Sequence, residues 1–362
     1  MRRNHLMSLL LFTMISSAAY SLENPPKIGV MMGSSDINSG DVSSIGKMCI
    51  VQAIGDRTGV DFQVYENHRS QMESALAAQK MVSDGVDLAL LPVRSDEASA
   101  AIKILENAKI PYLTSATSDS VISSSKDGLS IFPRNSDQAE TMANYYFEHF
   151  NGRPLSVIVD EGSLYSKQLS DQFIGNIHLH DSTLPINEYR IVGDSLPQLP
   201  NMSGRVVFAA IYNPKIALLF RRVREDGNVT ILGTDSVGAH REFLRIVGTA
   251  ADNNGSKIIF LKNWNNQATG PYAKDFKTLV DQSCARRLKE ADFGTAFSYD
   301  IASLAAEWAL SDRSVPPLQA FRQSQRTSIF DGQPFVFSDL GYRKAGYVFY
   351  EYSKGDHAIE LP

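Results

Sequence analysis

The sequence predicts an α/β protein built from two doubly wound parallel-sheet lobes. Short apolar and β-branched runs alternate along the chain with longer segments of helical period, and this series occurs twice, up to about residue 130 and again from about residue 153. Alternating strands and helices are the pattern of parallel sheets that carry helices on both faces. The 362 residues are also enough for two domains.

The predicted strands are short β-branched runs, and two of them, 86–91 and 206–211, are the apolar runs expected for strands that are covered on both faces. They span residues 28–32, 61–65, 86–91, 110–113, 155–159, 205–211 and 229–232. The helical segments between them span residues 42–56, 72–82, 97–108, 138–150, 166–175 and 214–225. Residues 131–136 form a natural crossover between the two lobes.

The N-terminus predicts a cleaved secretory signal over residues 1–21. An apolar run at 6–15 follows Arg2 and Arg3, and small residues at 16–21 follow the run. Without a cysteine at the cleavage point we expect no lipid anchor, and a periplasmic protein. Cleavage removes two arginines and makes the formal charge of −5 more negative. We therefore expect neither nucleic acid as a partner nor stable membrane insertion.

Two cysteines, Cys49 and Cys284, are too few for a disulfide scaffold or a structural zinc site. Cys49 lies on the apolar face of a predicted helix, with Ile45 and Ala53 four residues to either side. The sequence favours buried free thiols. A disulfide stays open as the alternative, because the distance between the two residues decides whether the bond can form.

The loops that follow the strands hold the candidate site, because ligands of open parallel sheets bind beyond the carboxyl ends of the strands. In the first lobe, residues 92–95 and 114–117 place hydroxyl and amide groups beside a helix start, which suits an anion such as a carboxylate. Ser95 is the stronger candidate there. Its alternative role is that of an ordinary helix N-cap.

In the second lobe, the loops after three strands supply Tyr165, Tyr212 and Asp235. An acid that faces hydroxyl and amide donors across a cleft matches the two charges of an α-amino acid. Two alternatives stay open: Asp235 caps the next helix, and the tyrosines serve only in packing.

Other motifs carry no chemistry that we can assign. Residues 40–48 approach a phosphate-binding loop but have the wrong glycine spacing and a methionine in place of the magnesium-binding hydroxyl. His178 and His180 would share one face of a strand, yet nothing nearby completes a metal site. No catalytic signature occurs, so we expect no cofactor, no metal and no enzyme activity.

The order of several segments resembles the type I periplasmic binding proteins of branched-chain amino-acid ABC transporters, the Leu/Ile/Val-binding family. The resemblance covers nearly the whole chain after the signal. It is carried by KIGV at 27–30, DGVDLALLPVRS at 84–95, IPYLTSAT at 110–117, FSYDIA at 297–302, and FDG with FSDLG between 330 and 341.

The resemblance implies two lobes joined by a multi-strand hinge. The first lobe would contain residues 22–131 and about 267–329, and the second about 139–258 and about 338–362. The hinge crossovers would lie near 132–138, 259–266 and 330–337.

The resemblance also assigns roles in ligand binding. Ser95 and Thr117 would bind the ligand carboxylate, and Asp235 its ammonium. Tyr165 and Tyr212 would close over the ligand from the second lobe. The remaining candidates are the carbonyl of Ser115, the adjoining Ala116, Asn135 in the crossover, and Arg94, which either reads a second anionic group or is a solvated helix-start arginine.

The expected function is that of a periplasmic solute-binding protein whose lobes close over a small amino-acid-like ligand and deliver it to an inner-membrane ABC permease. Two other functions stay open. One is a ligand sensor or regulatory protein on the same scaffold. The other is a cleft hydrolase or transferase that uses Asp235 as an acid or base.

Overall fold

The computed structural model describes residues 25–34, 42–122, 126–238, 240–248, 254–262, 264–265, 267–285, 291–311, 313–352 and 358–362. The predicted signal, residues 1–21, lies outside these ranges. No helix within them is long and apolar enough to cross a lipid bilayer.

The first lobe is built on a five-stranded parallel sheet. Its strands are β1 (Ile28–Met32), β2 (Phe62–Glu66), β3 (Leu88–Leu91), β4 (Tyr112–Thr114) and β5 (Gly128–Ser130). They are arranged in the order β2-β1-β3-β4-β5. The helices between the strands are α1 (Val42–Thr58), α2 (Gln71–Ser83) and α3 (Ser95–Asn107).

The second lobe is built on a seven-stranded sheet in the order β12-β11-β10-β9-β8-β6-β7. The strands are β6 (Leu155–Asp160), β7 (Ile186–Ile191), β8 (Val206–Ala209), β9 (Thr230–Gly233), β10 (Lys257–Leu261), β11 (Phe349–Tyr352) and β12 (Ile359–Glu360). All pairings are parallel except those of β10 with β11 and of β11 with β12. The helices are α4 (Asn135–Phe150), α5 (Leu164–His180), α6 (Lys215–Val223) and α7 (His240–Val247).

Later in the chain, three helices return to the first lobe: α8 (Pro271–Leu279), α9 (Phe293–Leu310) and α10 (Pro317–Gln323). Phe276 of α8, Tyr299 of α9 and Phe321 of α10 share one buried cluster with Ile28 and Leu90 of the first sheet. A second cluster covers the other face of that sheet, and two more cover the two faces of the second sheet. Two doubly wound lobes are therefore confirmed.

The cysteines are joined, which corrects the preference for free thiols. Cys49 in α1 and Cys284, at the end of the π-helical turn after α8, form a disulfide with their Cα atoms 5.9 Å apart. That separation lies within the usual range for the bond. The residues are 235 positions apart. Only the return of the chain to the first lobe brings them together, so no local pattern could indicate the pairing.

His178 and His180 lie in the last turn of α5, not on a strand as predicted. Residues two apart on a helix are separated by about 200° around its axis, so the imidazoles do not share a face. His180 Nε2 lies 3.0 Å from Asn144 Oδ1. No group of three or more metal-ligating side chains occurs among the described residues.

The proposed hinge boundaries remain a prediction, to which the structure adds two local observations. Tyr342 pairs with Ser130 at the edge of the first sheet, so the chain contacts the first lobe shortly before β11 joins the second. Lys262, directly after β10, donates its backbone amide to the carbonyl of Val348 at 3.2 Å.

Candidate functional site

A cavity of about 110 Å³ lies between the lobes, beyond the carboxyl ends of strands from both sheets. Seven of the nine residues proposed from the sequence line it: Arg94, Ser95, Ser115, Thr117, Tyr165, Tyr212 and Asp235. The other two, Ala116 and Asn135, lie outside its lining.

Ser95 joins the two loops of the first lobe. Its hydroxyl accepts hydrogen bonds from the backbone amides of Thr117 at 3.2 Å and Ser118 at 3.3 Å. The N-cap position of α3 belongs to Arg94, and Ser95 is the first helical residue. The Ser95 hydroxyl therefore fixes the loop after β4 against the start of α3 and does not cap its own helix.

Tyr212 contacts the first lobe directly. The backbone amide of Ser95 donates to the Tyr212 hydroxyl at 3.3 Å. The Tyr212 ring stacks on Tyr165, with centroids 4.7 Å apart, and the Arg94 guanidinium lies 4.8 Å from its centroid on the side of the first lobe. The two aromatic residues of the second lobe thus form one wall of the cavity.

Arg94 links the lobes. Its Nη2 donates to the carbonyl of Asn213 in the second lobe at 2.9 Å, and its Nε lies 3.9 Å from Glu97 Oε1. The side chain is 31% exposed. It is thus held at the cleft by contacts to both lobes.

Asp235 is buried on the wall formed by the second lobe, with 7% of its surface exposed. Its Oδ1 accepts from the Tyr165 hydroxyl at 2.5 Å and from Gln138 Nε2 at 3.2 Å, while its backbone amide donates to Gln138 Oε1 at 2.8 Å. Asp235 begins a short 3₁₀ turn that ends at Gly238. Burial raises the pKa of Tyr165 well above its usual value, so that hydroxyl remains a donor at neutral pH.

Asn135 supports the loop after β4 from behind. Its backbone amide donates to the Thr117 carbonyl at 2.7 Å, and its Nδ2 donates to Ser118 Oγ at 3.3 Å. The carbonyl of Ala116 accepts from the Ser130 hydroxyl at 2.7 Å. Ser115, which does line the cavity, donates its hydroxyl to the Val93 carbonyl at 3.2 Å. These bonds set the shape of the loop.

The sequence reasoning missed an aromatic and cationic wall on the first lobe. Phe132 stacks on Phe293 at 5.4 Å and meets Phe297 edge-on, and all three rings line the cavity. Lys47 of α1 lies 5.0 Å from the Phe297 centroid and donates to the Pro92 carbonyl at 2.8 Å. Of these residues only Phe297 fell within a segment that carried the family resemblance.

Two polar residues near the site were also missed. Glu97 is buried, lines the cavity and accepts from Asn67 Nδ2 at 2.8 Å. Gln138 holds both the backbone and the side chain of Asp235. Both residues lie within helices and neither directly follows a strand. A search restricted to the loops after strands therefore did not find them.

A set of hydrogen bonds across the cleft joins the lobes at α5, and we call it the interlobe latch. Asp96 Oδ2 accepts from Ser163 Oγ at 2.7 Å, and its Oδ1 accepts from the backbone amide of Leu164 at 2.7 Å. A carboxylate of the first lobe therefore satisfies amide donors at the start of a helix in the second. The other pairs are Gln168 with Ser120 and Gln172 with Asp119.

The chemical character of the cavity follows from its two walls. The loops after β3 and β4, with the start of α3, offer amide and hydroxyl groups to an anion. The opposite wall presents Asp235, whose Oδ1 is occupied by two donors. Five aromatic rings lie between these ends: Phe132, Tyr165, Tyr212, Phe293 and Phe297. The site can hold a small molecule with an anionic end and an apolar body.

Comparisons with known proteins agree with this architecture. A family model described as periplasmic binding protein matches residues 11–177. A leucine-binding protein, LivK from Thermotoga maritima, superposes with a TM-score of 0.77 at 18% identity, covering 93% of this chain and 98% of its own. The branched-chain amino-acid binding protein LivJ from Streptococcus pneumoniae, solved with isoleucine, gives 0.73 at 16% identity, covering 93% and 99%.

A third solved structure is an ABC-transporter solute-binding protein from R. palustris in complex with 4-hydroxybenzoate. It superposes with a TM-score of 0.69 at 14% identity, covering 93% of this chain and 95% of its own. No curated protein sequence matches the chain significantly. The chain has the type I periplasmic binding protein fold of the Leu/Ile/Val-binding proteins, and its residues 11–177 match the periplasmic binding protein family.

Proposed function

We propose that this protein is a periplasmic solute-binding protein of an ABC transporter that takes a small amino-acid-like ligand between its two lobes. One observation carries the proposal: a single cavity brings the donors of Ser95 and Thr117 together with the acid Asp235 from the opposite lobe. A ligand with a carboxylate at one end and an ammonium group at the other complements both walls.

The carboxylate would lie at the start of α3. There the Ser95 amide donates to the Tyr212 hydroxyl in the present structure, a contact that a carboxylate oxygen replaces with a stronger, charge-assisted bond. Tyr212 would then turn its own hydroxyl into a donor to the same carboxylate. Burial raises the pKa of Tyr212 well above its usual value, so the proton for that bond is available.

The side chain of the ligand would lie against the aromatic residues of the first lobe. Phe132, Phe293 and Phe297 offer an apolar surface with Lys47 at its edge. Such a wall favours an aliphatic or aromatic side chain, because its burial removes apolar area from water. LivJ with isoleucine and the R. palustris protein with 4-hydroxybenzoate show that this fold holds ligands of both kinds.

Delivery to an inner-membrane ABC permease is the proposed purpose of binding. It is supported by the match to the periplasmic binding protein family and by the transporter proteins among the structural neighbours. The predicted N-terminal signal supports a periplasmic location.

A thermal-shift screen followed by calorimetry tests the proposal. We expect at least one of the proteinogenic L-amino acids to raise the melting temperature of the protein, because a ligand that binds only the native state stabilises it. Asp235→Asn should weaken binding of that amino acid by about 2–5 kcal/mol, because the ammonium loses its charged partner.

Asp226→Asn is the matched control. Asp226 lies in the second lobe and pairs with Arg222 at 3.1 Å, outside the cavity lining, so this variant should bind as the parent does. If no amino acid binds, or if Asp235→Asn binds as tightly as the parent, the proposed function is wrong.

A further inference from the structure

Lys262 carries a buried ammonium group beside the site, although it does not line the ligand cavity. Its side chain is 8% exposed, and among the described residues its Nζ has no hydrogen-bond partner. The nearest acid is Asp235, whose Oδ2 lies 4.0 Å from Nζ. This is the oxygen of Asp235 that Tyr165 and Gln138 leave without a hydrogen bond.

Two aromatic rings hold the ammonium group in place. Nζ lies 4.1 Å from the ring centroid of Phe132 and 5.0 Å from that of Tyr347. Attraction by ring faces replaces part of the hydration that the cation loses on burial. Phe132 also lines the ligand cavity, so its ring borders both the Lys262 ammonium group and the space for a ligand.

The backbone around Asp235 allows its turn to pack closely against Lys262. A Cβ atom added to Gly238, at the end of the turn that begins with Asp235, would lie 2.5 Å from the carbonyl oxygen of Lys262. Only glycine therefore allows the turn to pack directly against the residue after β10. The closeness of Asp235 and Lys262 is built into the fold and does not depend on a flexible surface side chain.

An ammonium group of a ligand would need the same carboxylate oxygen. Asp235 Oδ1 already has two donors, so a ligand ammonium must approach Oδ2, where Lys262 lies. Two like charges at one oxygen of a buried acid repel each other strongly. The conflict disappears when Lys262 gives up a proton, which makes it a neutral amine.

We propose that Lys262 is a specificity-determining residue: it is the internal counter-ion of Asp235 and competes with the ammonium group of a ligand, so that an amine-bearing ligand binds as Lys262 releases one proton. The proton passes from Nζ to water and then to the buffer. A cavity of about 30 Å³ that borders Lys262 is large enough for a water molecule on this route. The inference rests on the proposed function, because it concerns the same site.

The charged groups around Lys262 are consistent with this role. The pKa of Lys262 is lowered to about 8, chiefly by burial; Arg343 acts in the same direction, while Asp235, Asp331 and Asp137 act to raise it. Tyr347 stays neutral, because burial raises its pKa well above the usual value. At pH 7 Lys262 is therefore mostly charged, and a small additional repulsion from a ligand is enough to neutralise it.

Calorimetry in two buffers of different ionisation enthalpy tests the inference. The probes are L-leucine and L-phenylalanine, each compared with the acid that lacks its amine, 4-methylpentanoate and 3-phenylpropanoate. At pH 7 we expect an amino acid to release close to one proton and the matching acid to release none. The release should fall toward zero as the pH rises from 7 to 9, because Lys262 is then already neutral.

Lys262→Met should abolish the release of the proton and should tighten binding of the amino acid about tenfold or more at pH 7, because the competing cation is gone. Lys257→Met is the matched control. Lys257, at the start of β10, pairs with Glu351 of the neighbouring strand β11 at 2.9 Å, so that variant should behave as the parent does.

The outcomes separate this inference from the proposed function. If the parent binds an amino acid without releasing a proton, the role of Lys262 is overturned and the proposed function is not. The same holds if Lys262→Met has the same preference between amino acids and amine-free acids as the parent. Failure of all four probes to bind to the parent and to Lys262→Met overturns the inference, and failure of every proteinogenic L-amino acid in the thermal-shift screen overturns the proposed function as well. Amino-acid binding by the parent with release of a proton, together with tighter binding and no release in Lys262→Met, supports the inference.

Discussion

Asp300 is a buried carboxyl group in the middle of α9, away from the ligand cavity. Its Oδ2 accepts from the Ser328 hydroxyl at 2.7 Å and from the Ile329 amide at 3.2 Å. Burial raises its pKa to about 6, although the nearby Arg326 and these hydrogen bonds act in the opposite direction. Desolvation thus outweighs the favourable contacts, and the charged form is costly in the folded state.

This cost predicts a pH dependence of stability. The folded-state pKa exceeds that of the unfolded chain, so between pH 4 and 6 the native state binds more protons, and its stability falls as the pH rises through that window. A shift of about two pKa units corresponds to about 3 kcal/mol. Asp300→Asn does not titrate, so its loss of unfolding free energy between pH 4 and pH 7 should be smaller by about that amount.

Denaturant unfolding at the two pH values measures the effect. Asp281→Asn, at an exposed position in the turn after α8, is the control and should follow the parent. Equal pH dependence in Asp300→Asn and the parent would show that the Asp300 carboxyl group is not the source.

Single residues of the site were predictable where they directly follow a strand. Ser95, Tyr212 and Asp235 were found in this way, because the carboxyl ends of parallel strands meet at one edge. Lys47 and Lys262 were not found. Their positions at the site depend on how α1 packs on α9 and on where β10 ends. The residues next to Lys47 and Lys262 in the sequence predict neither the packing nor the end of the strand.

At the N-terminus of the helix α5, a carboxylate of the other lobe accepts hydrogen bonds. Asp96 accepts from Ser163 and Leu164 across the cleft as part of the interlobe latch. The first turn of α5 also contains Tyr165, which donates to Asp235. A contact made across the cleft stabilises the closed form specifically and also positions a residue of the site.

Asp96→Ala should therefore weaken ligand binding although Asp96 does not line the cavity. Loss of a capping side chain costs about 0.5–2 kcal/mol, which corresponds to between about twofold and thirtyfold in affinity. Calorimetry with the amino acid found by the thermal-shift screen measures the change. Asp84→Ala, which removes a pair with Lys80 inside the first lobe, should leave the affinity unaltered, and an unaltered affinity in Asp96→Ala would contradict the role of the latch.

Several elements early in the chain were predicted to within two residues. β1 begins and ends where expected, and α1 and α2 differ by one or two residues. The strands β5, β7, β10, β11 and β12 were not predicted. β5 has only three residues, one of them glycine, and β7 (INEYRI) is an edge strand with mostly exposed polar residues. Apolar runs are typical of strands covered on both faces, so short or polar edge strands such as these two do not show them.

At the scale of the whole molecule, the two lobes were predictable because the strand-helix series occurs twice. The return of α8, α9 and α10 to the first lobe was not predictable from periodicity and came only from the family resemblance. That return brings Phe293 and Phe297 to the cavity and Cys284 to Cys49. The cavity and the disulfide are thus formed by parts of the chain that are distant in sequence.

Small-angle scattering of the protein without residues 1–21, the predicted signal, measured with and without a saturating amino acid from the thermal-shift screen, tests the central claim most directly. The radius of gyration should fall on binding, and the scattering of the saturated protein should match the closed structure, because only the closed form contacts the ligand from both lobes. Identical scattering from the empty protein and from protein shown by calorimetry to be saturated would contradict closure of the lobes over a ligand.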